Sequence, residues 1–326
     1  MKKTLVTGAD GFIGSHLVEE LAARGRRVRA LVLYNSHGHW GHLEKLPAKT
    51  LKRVEVVIGD ITDPFYVDDI VRGCDTVFHL AALIAIPFSY AAPALYVSTN
   101  VQGTVNILQA CRRHKVKRLI HTSTSEVYGT ALYTPIDEKH PLQGQSPYSA
   151  SKIGADKMVE SFHRSYGLPV TTARPFNTYG PRQSARAVIP TILTQVLSGK
   201  TDIRLGDLRP VRDFNYVQDT VEGMIALARS KATIGETVNL GSGRGVTIGE
   251  LVKKIEKVAG KKISVRRDGA RVRPAKSEVF KLIASRAKAE RLAGWRPRFT
   301  LEEGLSRTCE YLREHLGEYK PDLYNV

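Results

Sequence analysis

TLVTGADGFIG, residues 4–14, runs from a short β-branched stretch into a turn that carries Gly8, Gly11 and Gly14. Glycines at such a turn let the backbone come close to a pyrophosphate, and the following helix start offers unpaired N–H groups and a favourable dipole. A glycine-rich turn alone is weak evidence; at the first strand-to-helix junction of an alternating chain it reads as a dinucleotide cradle.

The rest of the chain supplies that alternation. Apolar runs recur at VRALVL (28–33), VEVVIG (54–59), DTVFHL (75–80), KRLIHT (117–122) and PVTTAR (169–174). Between them Val97, Val101, Val105, Leu108 and Cys111 step by three and four, as do Ala155, Met158 or Val159, Phe162 and Tyr166. Continuous apolar strands separated by amphipathic helices predict an α/β fold, a Rossmann-like doubly wound parallel sheet covered on both faces. After Arg174 the alternation breaks at PFNTYGPRQSARAVIP, a helical TILTQVLSG follows, TVNLGSG returns as a strand, and TIGE offers a capping box from Thr247 to Glu250. The expected organisation is a dinucleotide-binding domain over 1–174, rejoined by about 211–240, and a smaller discontinuous substrate lobe over 175–210 and 241–326.

Composition narrows the partners. The 49 Lys and Arg against 32 Asp and Glu give a formal charge of +17, which raises nucleic acid as a partner. The basic residues are scattered in small groups without a basic tail or a row of aromatics, so a diphosphate-bearing small molecule suits them as well and no nucleic-acid partner is expected. Cys74, Cys111 and Cys309 are odd in number and form no CxxC pair, as expected of free thiols in a reducing compartment, and no metal site is expected. The N-terminal apolar run is broken by Gly8, Asp10 and Gly11, and no run of eighteen apolar residues exists, so a cytoplasmic protein without membrane association is expected.

Two clusters carry chemistry. Tyr148 and Lys152 are four residues apart, which on a helix places both on one face with roughly 6 Å of rise. An ammonium beside a phenol favours the phenolate and brings a group of ordinary pKa near 10 toward working pH. The second is HTSTSEVYGT (121–130), where an apolar strand ends in hydroxyls and then Glu126.

The GxxGxxG spacing of the first turn, with GDITD (59–63), HLAA (79–82), YSASK (148–152), RPFNTYGPR (174–182) and RDFNYVQD (212–219), resembles the extended short-chain dehydrogenase/reductases, the NAD-dependent epimerase/dehydratase family, from end to end. The resemblance implies a bound NAD or NADP recycled within the catalytic cycle. It would lie against Gly8, Asp10, Gly11, Phe12, Ile13, Gly14, Asn35, Ser36, Thr122, Tyr148 and Lys152, with Asp60 and Ile61 at the adenine and Leu80, Ala81 and Ala82 lining the trough. The second strand ends in Tyr34, Asn35 and Ser36 where NAD-preferring members place an acid, and no arginine stands there for a 2′-phosphate, so both dinucleotides stay open.

The same resemblance makes Thr124, Tyr148 and Lys152 an alcohol-oxidising set and Glu126 the acid/base of a nucleotide-sugar 4,6-dehydratase. Once C4 is a ketone the C5 hydrogen becomes acidic, and a carboxylate can remove it and then help expel the C6 hydroxyl. Ser125 matches the GDP-mannose dehydratases, where dTDP-glucose dehydratases place an aspartate. Ser125, Glu126, Asn177, Arg212 and Arg273 are the implied substrate contacts. Residues 31–44, 122–158 and 174–190 most resemble the legionaminic-acid type, which acts on UDP- or GDP-linked N-acetylglucosamine. A UDP-glucuronate decarboxylase, a C4-epimerase and a noncatalytic NAD(P)-binding regulator are the alternatives. A homodimer through the helices holding Val101–Cys111 and Ala155–Phe162 is expected from the family.

Overall fold

The computed structural model describes residues 3–271 and 277–323. Seven parallel strands form the main sheet: β1 (Lys3–Thr7), β2 (Arg27–Leu33), β3 (Val54–Gly59), β4 (Cys74–His79), β5 (Arg118–Thr122), β6 (Val170–Pro175) and β10 (Thr237–Leu240). Their order is β10-β6-β5-β4-β1-β2-β3, the doubly wound arrangement expected from the sequence, with its switch point between β1 and β4. Successive side chains of a strand serve opposite faces. Leu5, Leu31, Val77 and Leu119 pack with Ile107, Val159 and Phe162 on one side; Val6, Ala30, Phe78 and Ile120 pack with Leu17, Val18 and Val221 on the other. Burial on both faces is why these strands read as continuous apolar runs.

The smaller lobe has its own sheet. In it β9 (Val211–Tyr216) pairs with β7 (Asn177–Tyr179), β11 (Gly245–Thr247) and β13 (Lys281–Leu282), while β8 (Asp202–Leu205) pairs with β12 (Ser264–Arg267). The segment expected to rejoin the first domain is divided: β9 stays in the smaller sheet, the helix Val217–Arg229 packs on the helix Phe12–Ala23, and β10 enters the main sheet. Arg182 pins this lobe to the glycine-turn helix, donating to Glu19 at 2.7 Å, and His16 of that helix bonds the Pro181 carbonyl at 3.0 Å. Thr247 and Glu250 form the anticipated capping box. The stretch read as one regular helix from Val97 differs: Val97–Gln102 is a π-helical turn, and α-helix runs only over Gly103–Arg113.

Arg118 shows how β5 is held. It is buried, with no carboxylate at ion-pair distance among the described residues, and burial lowers its pKa to about 10. Its guanidinium donates to the Leu227, Ala228 and Ser230 carbonyls at the end of the helix Val217–Arg229, where the dipole favours a cation. Arg118→Met removes the donors and strands the buried carbonyls, so stability should fall by about 3 kcal/mol in urea unfolding.

Candidate active site

The glycine turn lies at the switch point. Gly8 has φ +66°, and a Cβ there would stand 2.9 Å from the Ala81 backbone. A Cβ on Gly14 would stand 2.0 Å from the Gly8 carbonyl oxygen, so the helix Phe12–Ala23 can begin this close to β1 only with glycine at that position. Gly11 is the helix N-cap, makes no side-chain cap, and no acidic residue follows in the first turn, leaving the N-terminus open to an anion.

Beside the turn, the Thr7 hydroxyl accepts from the Leu80 and Ala81 N–H groups, each at 3.1 Å, and contacts His79 Nδ1 at 2.9 Å. The Thr104 hydroxyl, which donates to the Asn100 carbonyl, accepts from His79 Nε2 at 3.0 Å; His79 Nδ1 is then the acceptor and Thr7 the donor. Burial holds His79 far below its ordinary pKa, so the ring is neutral. This chain fixes the HLAA segment against β1.

Across the switch point, β5 delivers its polar end. Thr124 caps the short turn Ser125–Tyr128, accepting from the Glu126 N–H at 3.2 Å, and its hydroxyl lies near enough to Tyr148 to favour the phenolate. Tyr148 and Lys152 lie one turn apart on the helix Pro147–Tyr166, and both are buried. The Lys152 Nζ donates to the Thr122 carbonyl at 2.8 Å. Burial lowers the lysine to about 8, with Asp156 opposing that shift. Burial raises the Tyr148 phenol above its ordinary value; Thr124 opposes the rise and Glu126 adds to it. Glu126, half-buried, is thus within electrostatic reach of the phenol, and Ser125 beside it is buried.

Several residues here were not singled out from the sequence. Asp156, a further turn along, accepts from His121 Nε2 at 3.0 Å, Ser123 Oγ at 2.7 Å and Arg174 Nη2 at 2.9 Å. Arg174 also donates to the Tyr128 hydroxyl at 3.0 Å, which donates to Asn239 at 2.8 Å. These bonds and the charge of Arg174 hold Asp156 well below the usual carboxylate range despite its burial. Asn100, in the π-helical turn, bonds the Leu83 N–H and carbonyl and the Ser151 hydroxyl. The available signal was the stride Tyr148, Lys152, Asp156, an acid recurring on the helix face that also buries Ala155 and Val159.

The other expected contacts divide. Thr122 has a buried hydroxyl without a hydrogen-bond partner, next to the carbonyl that holds Lys152. With the glycine cradle, this orphaned group fits a dinucleotide. Asp10 is part-buried, Phe12 and Ile13 open the first helix, Ser36 is exposed, and Asp60 accepts from the Thr62 N–H at 2.8 Å. Two side chains make contacts within the protein. The amide of Asn35 is spent on its own loop, bonding Leu33, His39 N–H and His39 carbonyl, and the Ile61 side chain is buried against Gly103. Asn177 Oδ1 is buried without a partner, and Arg212 is buried and paired with Glu278 at 3.3 Å. Arg273 lies outside the described residues. No group of three potential metal ligands occurs among the described residues, and none of their helices is long and apolar enough to cross a membrane.

A family profile described as GDP-mannose 4,6 dehydratase matches residues 5–308. The chain belongs to this family, within the extended short-chain dehydrogenase/reductases. It is 34% identical to the dTDP-glucose 4,6-dehydratase of Actinoplanes sp. over 95% of its own length and 98% of that protein. The dTDP-glucose 4,6-dehydratase of Streptomyces venezuelae, solved with NAD bound, superposes with a TM-score of 0.89 at 34% identity, covering 98% of this chain and 99% of that one. The UDP-N-acetylglucosamine 4-epimerase of Methanobrevibacter ruminantium gives a TM-score of 0.87 at 30% identity, covering 96% and 99%. The protein is therefore an enzyme of the nucleotide-sugar 4,6-dehydratase and epimerase family.

The buried lysine makes a stability prediction. Its pKa is about 8 when folded and near 10.4 when unfolded, so the fold pays for a charged Lys152 below pH ~8 and the cost vanishes toward pH ~10.4. Lys152→Met should stabilise the cofactor-free protein by up to about 3 kcal/mol at neutral pH. In denaturant melts across pH, that gain should shrink through the window between those two values.

Proposed function

We propose that the enzyme is an NAD-dependent nucleotide-sugar 4,6-dehydratase, with UDP- or GDP-linked N-acetylglucosamine as substrate. The observation that carries the reading is Glu126, two residues beyond Thr124 and within electrostatic reach of Tyr148 at the same strand end. A C4-epimerase needs the oxidising set but has no work for that carboxylate.

NAD is the form found in solved relatives, and the glycine turn, Thr122 and Lys152 would hold it here. When bound, its nicotinamide supplies a hydride acceptor for C4 that can later return the hydride to C6. Thr124 bonds the C4 hydroxyl oxygen and Tyr148, as phenolate, takes its proton, with Lys152 stabilising the phenolate. With C4 a ketone, Glu126 removes the C5 proton and passes it to the C6 hydroxyl, which leaves as water. When the hydride returns to C6, C5 takes up one proton and Tyr148 releases the one it took from the C4 hydroxyl, which restores the phenolate. Ser125, where some relatives carry an aspartate, leaves Glu126 to perform both transfers. Asn177, Arg212 and Arg273 would meet the nucleotide and diphosphate, for which the arginine fork is suited.

A homodimer is part of this reading. Leu108, Cys111, Ala155, Val159 and Phe162 are already buried within one chain, so the partner would cover the flanking Leu95, Val97 and Tyr166, which are 46%, 56% and 51% exposed. Sedimentation should give a dimer at micromolar concentration; a monomer there would remove this element.

The epimerase relative at comparable similarity supplies the second reading, and one variant separates the two. Wild type should yield a 4-keto-6-deoxy product one water lighter by mass spectrometry from UDP- or GDP-N-acetylglucosamine. Glu126→Gln should lower that dehydration by at least about 100-fold while reduced nicotinamide still forms. A product of unchanged mass, or dehydration that survives Glu126→Gln, contradicts the proposal.

A further inference from the structure

We infer that Arg174 is a positioning residue for the proposed oxidation: by pairing with Asp156 it leaves the charge of Lys152 to be met by Tyr148. The inference rests on the reading of Thr124, Tyr148 and Lys152 as the oxidising set. Tyr148, Lys152 and Asp156 occupy successive turns of one helix face, each step rising roughly 6 Å. Without a further cation, Asp156 would be the counter-ion of Lys152, the buried pair would be neutral, and a phenolate beside it would gain little. Arg174 changes the count. It reaches Asp156 from β6 with Nη2 at 2.9 Å and Nε at 3.3 Å, both on Oδ2. Two cations and one carboxylate, all buried, leave one positive charge unmatched.

The other groups facing the pair do not cancel it. Glu160, one turn beyond Asp156 and within electrostatic reach of Arg174, is paired with Lys157 at 2.9 Å and Arg164 at 2.6 Å. The Tyr128 hydroxyl that accepts from Arg174 keeps its proton and donates to Asn239. His121 of β5 donates its Nε2 proton to Asp156, and its Nδ1 is buried without a partner, as in a neutral ring. His79 of β4 is neutral by the hydrogen-bond pattern that ties it to Thr7 and Thr104. Tyr96 packs edge-on against Tyr148 with ring centroids 6.3 Å apart, and its hydroxyl donates to the Ala85 carbonyl. Glu126, on the turn after β5, is the remaining acid in reach of the phenol and is unaltered by changes at Arg174. The surplus positive charge is therefore built into the fold behind Lys152, and the phenolate is the anion that neutralises it.

The test is the pH dependence of C4 oxidation in the NAD-loaded enzyme, followed as single-turnover formation of reduced nicotinamide with whichever of UDP- or GDP-N-acetylglucosamine the wild type consumes. Arg174→Gln frees Asp156 to oppose the phenolate, and the acid limb should move up by about one pH unit. In Arg174→Gln with Asp156→Asn the limb should return to within a few tenths of the wild-type position, because the pair is removed as a neutral unit. Arg174→Lys, which keeps the charge, should leave the limb in place and serves if Arg174→Gln does not fold. An unmoved limb in Arg174→Gln, a double variant no closer to wild type than the single one, or a shifted limb in Arg174→Lys overturns the inference. Tyr148→Phe separates the two levels: oxidation that survives it defeats the oxidising-set reading, whereas its loss together with an unmoved Arg174→Gln limb defeats only the role of Arg174.

Discussion

Lys152 carries an ammonium group into the protein interior, where the Thr122 carbonyl at the end of β5 is 2.8 Å from it. Taking such a charge out of water costs several kcal/mol even after relaxation, so the surroundings must supply acceptors and counter-charge. A parallel sheet suits this, because its strands end together and present carbonyls and side chains at one edge. The last residue of β5 and the two that follow it serve three different groups. Thr122 gives its carbonyl to Lys152, Ser123 its hydroxyl to Asp156, and Thr124 stands near enough to Tyr148 to favour its phenolate.

The surrounding architecture holds that edge still. Arg118 fastens β5 to the end of the helix Val217–Arg229, Asp156 ties the Tyr148 helix to β5 and β6, and His79 joins β4 to β1 through Thr7. The glycine turn then brings the open N-terminus of the first helix to the same edge, beside the Leu80–Ala81 backbone. Oxidation of an alcohol needs a base and a hydride acceptor on the two sides of one carbon. The sheet edge places the lysine–tyrosine pair at the end of β5 and the dinucleotide cradle at the end of β1, with the end of β4 between them.

Much of this was legible in the chain because the signals are local. Six of the seven strands of the main sheet stand out as apolar runs before Pro175, since burial on both faces removes polar alternation. The glycine turn is legible because only glycine permits the 2.0 Å geometry at Gly14. What escaped depends on partners distant in sequence. Asp156 looks like a surface acid until Arg174 and His121 are seen to surround it, and the π-helical turn at Val97–Gln102 breaks a spacing that continues regularly in sequence. The membership of β9 was equally hidden, because nothing in RDFNYV says which sheet receives it. The amide of Asn35, a polar loop residue, closes its own loop through His39, a bond that its sequence neighbours did not announce.

A buried, uncompensated cation kept for a tyrosinate should be visible in the ionisation of that tyrosine. Ultraviolet difference titration of the NAD-loaded enzyme against its Tyr148→Phe variant reads it directly. Burial raises the Tyr148 phenol in the cofactor-free protein. With the positive nicotinamide of NAD added to the charge of Lys152, it should ionise at least one unit below the ordinary tyrosine value near pH ~10, and Lys152→Met should move it back above that value. A Tyr148 that stays protonated through pH ~10 with NAD bound, or that titrates alike with and without Lys152, would contradict this view of the site.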